Sequence, residues 1–429
     1  MNIAVMFLIF LLLMVIGMPI AYSLGLSSLA YLISNGQPLT LVPQKMTVSL
    51  ESFLFVALPL FILCGEIMNT GGLTRKLVNV ARAVVGRFKG GLAYVNVVVS
   101  MLFGGVQGLA TADTVAIGSV LIPAMTEEGY RKDFSVAITV ASSTIGAIIP
   151  PSLLFVIYGS VTGVSIGKMF MGGLIPGILL GLGQMVYVFY LGKSRKYKDY
   201  IPVGEKLPWK TCLKYLIEGI PTMILPLIII GGIVGGVVTA AESAVLAVVY
   251  AIILGLASRE LKLRDLPGIF WKSAKTVGSV MIILSASTIF AYILTQEKVP
   301  QMVVNILLNI TDNRIILLLI INVFLLFVGT FMDSTPAVTI LAPILLPVLT
   351  QMGMNPVHIG VFMCFNLIMG LITPPVGSCL YLASGISHMS VEKISKAMLP
   401  LYGVNFLILM LVTYIPTLSL LIPSMLGMG

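Results

Sequence analysis

Apolar runs about one bilayer long follow one another along the whole chain, separated by short polar breaks. About twenty apolar residues cross a hydrocarbon core. That predicts crossings near 3–34, 52–69, 134–160, 166–190, 215–235, 238–257, 276–295, 357–384 and 397–422. Regions 92–126 and 315–352 are apolar too, but interrupted near their middles. Segment 3–34 has two readings. It is one long tilted helix with the N-terminus inside, or two short passes broken at Gly17 and Pro19 with the N-terminus outside. Its start, Met1 to Leu13, lacks a basic n-region and a small-residue cleavage site, so it is expected to be a retained transmembrane segment.

The polar breaks carry the orientation. Residues 69–90 hold Arg75, Lys76, Arg82, Arg87 and Lys89 with no acid. Residues 192–214 hold Lys193, Arg195, Lys196, Lys198, Lys206, Lys210 and Lys214, and residues 258–275 hold Arg259, Lys262, Arg264, Lys272 and Lys275. The positive-inside rule makes all three cytoplasmic. A membrane-surface helix over 69–90 fits the same side.

Parity then constrains the interrupted regions. The crossings at 134–160 and 166–190 already connect two cytoplasmic loops, so 92–126 must enter and leave on the cytoplasmic side. A limb such as 92–104 has 13 residues and reaches about 20 Å, short of a full span. Region 92–126 therefore reads as a re-entrant helical hairpin, and 315–352 as a second one dipping in from outside.

Composition excludes the other classes. Of 429 residues 58% are hydrophobic and 10% charged, and mean hydropathy is +1.08. A soluble globule would lack the polar residues to cover its surface. The net charge of +9 sits in the short loops, which argues for the bilayer and against nucleic acid. Cys64, Cys212, Cys364 and Cys379 form no CxxC pair and read as small membrane-buried hydrophobes. Two histidines without HExxH argue against zinc catalysis, and neither a complete P-loop nor a TVGYG filter is present. Energy must then come from an ion gradient or another subunit.

An internal repeat emerges at a shift of 224. Pro123 falls on Pro347, Thr126 on Thr350 and Gly129 on Gly353, while Gly146 falls on Gly370, Pro150-Pro151 on Pro374-Pro375 and Pro176 on Pro400. Proline and glycine dictate backbone shape, so their coincidence implies a repeated backbone. Parity gives the copies opposite orientation, the inverted-repeat pattern of secondary transporters. The chain divides as one transporter unit into a first inverted repeat over 1–190, a cytoplasmic linker over 191–214 and a second repeat over 215–429. The expected fold is all-α and polytopic, with two re-entrant hairpins and broken helices.

Four breaks concentrate the chemistry: the tips at 104–113 and 329–336, and the partner breaks Ile149-Pro150-Pro151-Ser152 and Thr373-Pro374-Pro375-Val376-Gly377. Non-helical backbone at membrane depth is tolerated where it is buried in protein or lines a polar cavity. A broken helix offers free carbonyls from one half and a positive N-terminus from the other. With Ser, Thr and Asp oxygens this suits a hard cation such as Na+, and the N-termini suit a carboxylate. Asp113 and Asp333 are the deepest acids in this reading; each is an ion ligand, a helix N-cap, or both. For Glu66 and Glu242 structural hydrogen bonding, a subunit contact and a part in transport stay open. His358 and His388 fall near membrane edges, where a proton relay is one reading.

Through these motifs the chain resembles the large membrane (M) subunit of TRAP transporters, the tripartite ATP-independent periplasmic transporters. The match runs through Pro59-Leu60-Phe61-Ile62, Gly65-Glu66-Ile67-Met68-Asn69, Gly71-Gly72-Leu73, Ala110-Thr111-Ala112-Asp113, Leu121-Ile122-Pro123-Ala124-Met125, Ile149-Pro150-Pro151-Ser152 and Gly236-Val237-Val238-Thr239-Ala240. It closes with Asn366-Leu367, Gly370 and Thr373-Pro374-Pro375-Val376-Gly377, and so covers essentially the whole chain. The first tip departs from the family pattern, with Gln107 and Leu109 where small or hydroxyl residues are common, which favours backbone ligands there.

The resemblance implies an elevator-type symporter in the bacterial inner membrane, Na+ as coupling ion and no other cofactor. It implies a small four-helix membrane subunit and a periplasmic substrate-binding protein as partners, and organic acids as substrates, N-acetylneuraminate or a C4-dicarboxylate. It implies no enzymatic activity. Carried onto this chain, one Na+ site would use Gly105, Thr111 or Asp113 with Ser143 and Ile149. The other would use Gly329, Asp333 or Ser334 with Asn366, Gly370 and Thr373. The substrate would sit between the tips, near Pro150, Ser152, Thr335 and Pro374. The main competing reading is a stand-alone Na+/dicarboxylate symporter that needs no binding protein; a channel and a membrane enzyme stand behind it.

Overall fold

The computed structural model describes residues 2–50, 56–193, 201–202, 204, 207–235, 237–299, 301–302 and 313–427. Part of the basic loop at 192–214, with Arg195, Lys196, Lys198 and Lys206, lies outside the described residues, as do residues 52–55 of the crossing expected at 52–69.

The first half holds α1 (Ile3–Val15), α2 (Ile20–Ser34), α3 (Leu41–Leu50), α4 (Ala57–Thr70), α5 (Leu73–Val85), α6 (Gly91–Gln107), α7 (Ala110–Glu127), α8 (Lys132–Ile148), α9 (Leu153–Thr162) and α10 (Ile166–Lys193). The second holds α11 (Trp209–Val234), α12 (Ala240–Ala257), α13 (Leu266–Gln296), α14 (Arg314–Phe331), α15 (Ser334–Gln351), α16 (Pro356–Gly370), α17 (Ser378–Ser387), α18 (Val391–Tyr414) and α19 (Thr417–Met425). Among the described residues seven helices are long and apolar enough to cross a membrane, or nine if each bent pair is one span.

The backbone repeats at the offset seen in the sequence. Helices α7 and α15 both run 18 residues and begin 224 apart (334 − 110), as do α8 and α16 (356 − 132). In each copy a turn joins the two helices, α7 to α8 and α15 to α16, and its glycine takes positive φ, +92° at Gly129 and +76° at Gly353, a conformation that suits a residue without Cβ. The Pro150–Pro151 and Pro374–Pro375 bonds are both cis.

Packing exchanges the halves. Hairpin α6/α7 lies on α8, and α14/α15 on α16. The return arm of each then crosses to the other copy: α15 packs on α9, and α7 on α17. Around this body stand α1 to α5 and α11 to α13, with α12 against α4 and α13 against α2.

Polar contacts settle which ends share a face. On one face Lys76 pairs with Glu260 at 3.1 Å, Arg82 with Glu128, and Lys89 Nζ donates to the Gly192 carbonyl at 2.6 Å. All three basic loops and the exit of the first hairpin therefore lie together. On the opposite face Tyr31 donates to Glu297 and Gln37 to Gln296. There Tyr414 donates to the Ile315 carbonyl, and His358 lies against the Thr413 carbonyl, so both ends of the second hairpin flank the end of α18.

One expectation changes, and of the two readings of segment 3–34 the structure takes one. The hairpin limbs are longer than 13 residues: α6 runs 17 and α7, α14 and α15 run 18 each. Gly104 and Gly105 stay helical because Gly104 packs backbone to backbone on α8, so the break falls at Gly108–Leu109 instead. Re-entrance then rests on the shared face of the ends, not on limb length. Segment 3–34 is two helices, α1 folded back on α2, with Phe7 5.4 Å and Phe10 5.5 Å from Phe290 near the outer end of α13. That places Asn2 outside. With Cys212→Ser as background, Asn2→Cys and Asn35→Cys are expected to react with a membrane-impermeant maleimide from outside, and Arg75→Cys only from inside. Labelling of Asn2→Cys from the Arg75 side would reverse the assignment.

Candidate ion and substrate site at the hairpin tips

The first hairpin reaches α8 through glycine. A Cβ on Gly104 would stand 2.5 Å from Gly146 Cα, so the two backbones touch with no room for a side chain. Beside this crossing a polar ladder joins the helices. Asn96 Nδ2 donates to Thr139 at 2.6 Å, Ser142 donates to Asn96 Oδ1 at 2.9 Å, and Ser100 donates to Ser142 at 3.1 Å. Buried polar groups that satisfy one another this way fix register between helices.

Asp113 sits in this crossing without a partner. It is 1% exposed, one turn into α7, and neither carboxylate oxygen has a hydrogen bond. The Ser100 hydroxyl lies near it but is donated to Ser142. A Cβ added to Gly146 would meet Asp113 Oδ2 at 2.9 Å and the Ser100 carbonyl at 3.4 Å, so a carboxylate and a carbonyl converge where Gly146 has no side chain. A buried unpaired carboxylate is costly, and a cation relieves it. Ser143 is buried on the same side, its hydroxyl on the Val140 carbonyl at 2.8 Å. The Cys379 thiol of α17 lies against Thr114 and Ser143, with Asp113 and Asp333 both close enough to act on it electrostatically.

The second hairpin repeats the crossing but not the acid. A Cβ on Gly370 would stand 2.3 Å from the Gly329 carbonyl carbon. Asn366 Nδ2 donates to Asn322 Oδ1 at 2.7 Å, leaving Asn366 Oδ1 buried and unpartnered. Asp333 is exposed and is the N-cap of α15, accepting from Thr335 N at 3.4 Å and from the Ser334 hydroxyl at 3.3 Å. It is therefore not the deep counterpart of Asp113. Its place beside the tip makes it a cap, whereas α7 has Leu109 at that position and no side-chain cap. Thr373 turns its hydroxyl back to the Met369 carbonyl at 2.7 Å, and Ser334 and Thr335 are buried.

Tips and breaks are stitched together. Leu153 N donates to the Gly108 carbonyl at 3.2 Å, and Gly377 N to the Thr330 carbonyl at 3.3 Å. The surroundings differ, however. Ile149, Pro150 and Ser152 are buried, with Ser152 capping α9 by accepting from Phe155 N, and a Cβ on Gly105 would come within 3.0 Å of the Pro226 ring of α11. Pro374, Pro375 and Val376 are exposed.

A cavity of about 290 Å³ opens beside the first tip, lined by Leu109, Thr111 and Val115 of α7, Glu66 and Asn69 of α4, and Lys272 of α13 among others. Across it Lys272 Nζ meets Glu66 Oε2 at 2.7 Å. Asn69 also lines a neighbouring cavity of about 600 Å³ that carries Arg75, Lys76, Glu218 and Glu260 of the basic face. The cavity at the first tip thus adjoins one on the face that holds the basic loops, with Asn69 on the wall of both.

The profile of the DctM component of tripartite ATP-independent periplasmic transporters matches residues 7–418. This chain belongs to that family. Its relatives agree over nearly its full length. The chain is 40% identical to the isethionate TRAP transporter permease protein DctMQ of Oleidesulfovibrio alaskensis, over 97% of this chain and 65% of that protein. It is 36% identical to the sialic acid TRAP transporter large permease protein SiaM of Vibrio cholerae (96% of each), and 34% identical to the C4-dicarboxylate large permease protein DctM of the same organism (99% and 98%). In fold it resembles the YdaH transporter of Alcanivorax borkumensis, with TM-score 0.61 and 14% identity over 91% of this chain and 89% of that one. The DctM component is an integral protein of the inner membrane and acts in TRAP-mediated substrate uptake.

The other polar residues that the sequence raised lie away from the tips' crossing and take local contacts or caps. Glu242 closes a capping box with Thr239 at the start of α12, accepting from Thr239 N at 2.7 Å. His358 is buried between the Thr413 carbonyl and the Ser419 hydroxyl, and His388 ends α17 in the left-handed region. Cys64, Cys364 and Cys379 are buried and free; Cys212 is half-buried. Lys272 is the site residue hidden in the sequence, where it reads as one charge of a basic loop. The start signal of α13, Asp265 with Pro267 in the first turn, was the one clue that this part of the loop is helix.

Proposed function

We propose that this DctM component imports an organic acid by Na+ symport, as an elevator whose moving body, α6 to α10 with α14 to α19, carries both hairpins past α1 to α5 and α11 to α13. Asp113 carries the reading. A buried carboxyl group with no hydrogen bond, beside the Ser100 carbonyl at a glycine crossing, fits one hard cation. Among the described residues no three His, Cys, Asp or Glu come together, so the ligands would be this carboxylate and main-chain or hydroxyl oxygens. Asn366 Oδ1 supplies the comparable free oxygen for the second Na+. The cavity at the first tip, which shares Asn69 with the one on the basic face, supports an inward-facing state.

The halves would divide as 1–190 and 215–429 about the linker at 191–214. The names of the relatives specify isethionate, sialic acid and C4-dicarboxylates, all acids with a carboxylate or sulfonate head. For this chain we favour N-acetylneuraminate or a C4-dicarboxylate, delivered by a periplasmic binding protein to a complex with a small membrane subunit. The test is uptake into proteoliposomes holding the chain and its small subunit. Labelled N-acetylneuraminate, succinate and isethionate are offered with and without an inward Na+ gradient and the binding protein. Accumulation that needs both supports the reading and names the acid. Accumulation without the binding protein would replace it with a stand-alone symporter.

A further inference from the structure

The ion pair at the first tip joins two elements outside the moving body, α4 and α13, across the cavity that α7 and α17 enter. The partners are unequal. The Glu66 side chain is 12% exposed and its Oε2 is sealed from solvent, whereas Lys272 is 63% exposed and is the only cation among the cavity's lining residues. Facing Lys272 is the first turn of α7, where no side chain caps the helix and the early N–H groups stay open. Thr111 and Ala112 of that turn line the same space. A carboxylate or sulfonate entering here meets a flexible ammonium on one side and a positive helix end on the other. Lys272 lies six residues into α13, or about 9 Å from its cytoplasmic start.

We infer that Lys272 takes the anionic head of the substrate on the cytoplasmic side, and that Glu66, by competing for the same ammonium, returns Lys272 to the ion pair and expels the acid. This deepens the proposed transport reading and rests on it. The acid exchanges one carboxylate for another on Lys272, so the pair makes release nearly isoenergetic rather than a climb out of a charged well. A strong lone cation would hold the product; a lone anion would reject it.

The two partners must then act with opposite sign. Val115→Cys lines the cavity and is 41% exposed as valine, so it serves as a reporter in a Cys212→Ser background. In the complex with the small subunit, its modification by a maleimide is followed against rising succinate, N-acetylneuraminate or isethionate. Lys272→Gln is expected to raise the acid concentration for half protection about tenfold, and Glu66→Gln to lower it by a similar factor, because each removes one unit charge at contact distance from the acid or its competitor. Thermal midpoints of both variants control for folding.

A pair that only braces α4 on α13 predicts something else: both variants lose stability and shift protection in the same direction or not at all. Either result overturns the inference. So does failure of all three acids to protect the unaltered cavity. Na+-driven uptake by the parent protein is measured separately. Loss of that activity removes the symport reading, while opposite-signed protection without it would leave Lys272 as an anion site.

Discussion

Asp113→Asn is expected to abolish Na+-driven accumulation and to leave the chain folded. The carboxylate is buried, unpartnered and pressed against Gly146. Asparagine has nearly the same shape, so the Gly104–Gly146 crossing survives. What goes is the charge that would neutralise a bound cation in a site sealed from water. Removing one partner of a buried pair costs about 3 kcal/mol or more, roughly a hundredfold in Na+ affinity. Without Na+ a buried acid sheds its charge by binding a proton, so the same substitution then exchanges one neutral group for another. The thermal midpoint of the Na+-free protein should therefore change little, while the increase that Na+ gives the parent by binding the folded state should vanish. Both are read in one thermal-denaturation series over Na+ concentration. If Asp113→Asn keeps the parent's Na+ response, the ion is elsewhere.

Gly370→Ala should be strongly disruptive. Its Cβ would lie 2.3 Å from the carbonyl carbon, 2.5 Å from Cα and 2.6 Å from the oxygen of Gly329. Carbon atoms pack comfortably near 3.5–4.0 Å, and nothing struck is a flexible side-chain end. Helix α14 must back away from α16, breaking the Asn322–Asn366 contact beside it. Overpacking of this kind costs about 1–3 kcal/mol in an ordinary core, and backbone against backbone belongs at the upper end. The reverse change is gentler: a Cβ on Gly329 meets the Leu367 carbonyl at 3.1 Å and Gly370 Cα at 3.2 Å. Gly370→Ala should therefore lower the thermal midpoint clearly more than Gly329→Ala. Equal midpoints would mean the crossing is looser than described.

Much of this was legible because proline and glycine act on the backbone directly. The offset of 224 located the paired breaks, and α7 and α15 begin at that spacing. The same offset bore on Asp113 and Asp333. It sets Asp113 on Ala337 and Asp333 on Leu109, so the two acids are not equivalent, and in space one is sealed in a crossing while the other caps a helix. Limb length was not legible, because Gly104-Gly105 looks like a break until α8 is present to receive it. Nor was the Glu66–Lys272 pair, whose members stand 206 positions apart (272 − 66) and meet only because α4 packs on α13.

The short helix α5 is fastened at both ends. It turns 72° from α4 at Gly71–Gly72, keeps an apolar side inward, and holds Glu260, just past the end of α12, through Lys76 and Glu128 at the foot of the first hairpin through Arg82. The reading of 69–90 as a membrane-surface helix suits such a strap. Its two anchors are exposed ion pairs, which salt screens and anionic headgroups compete for. In an elevator, the surface of the membrane would then be part of the machine's suspension: lipid charge and cytoplasmic ionic strength would set how firmly the carriage rests at its lower floor.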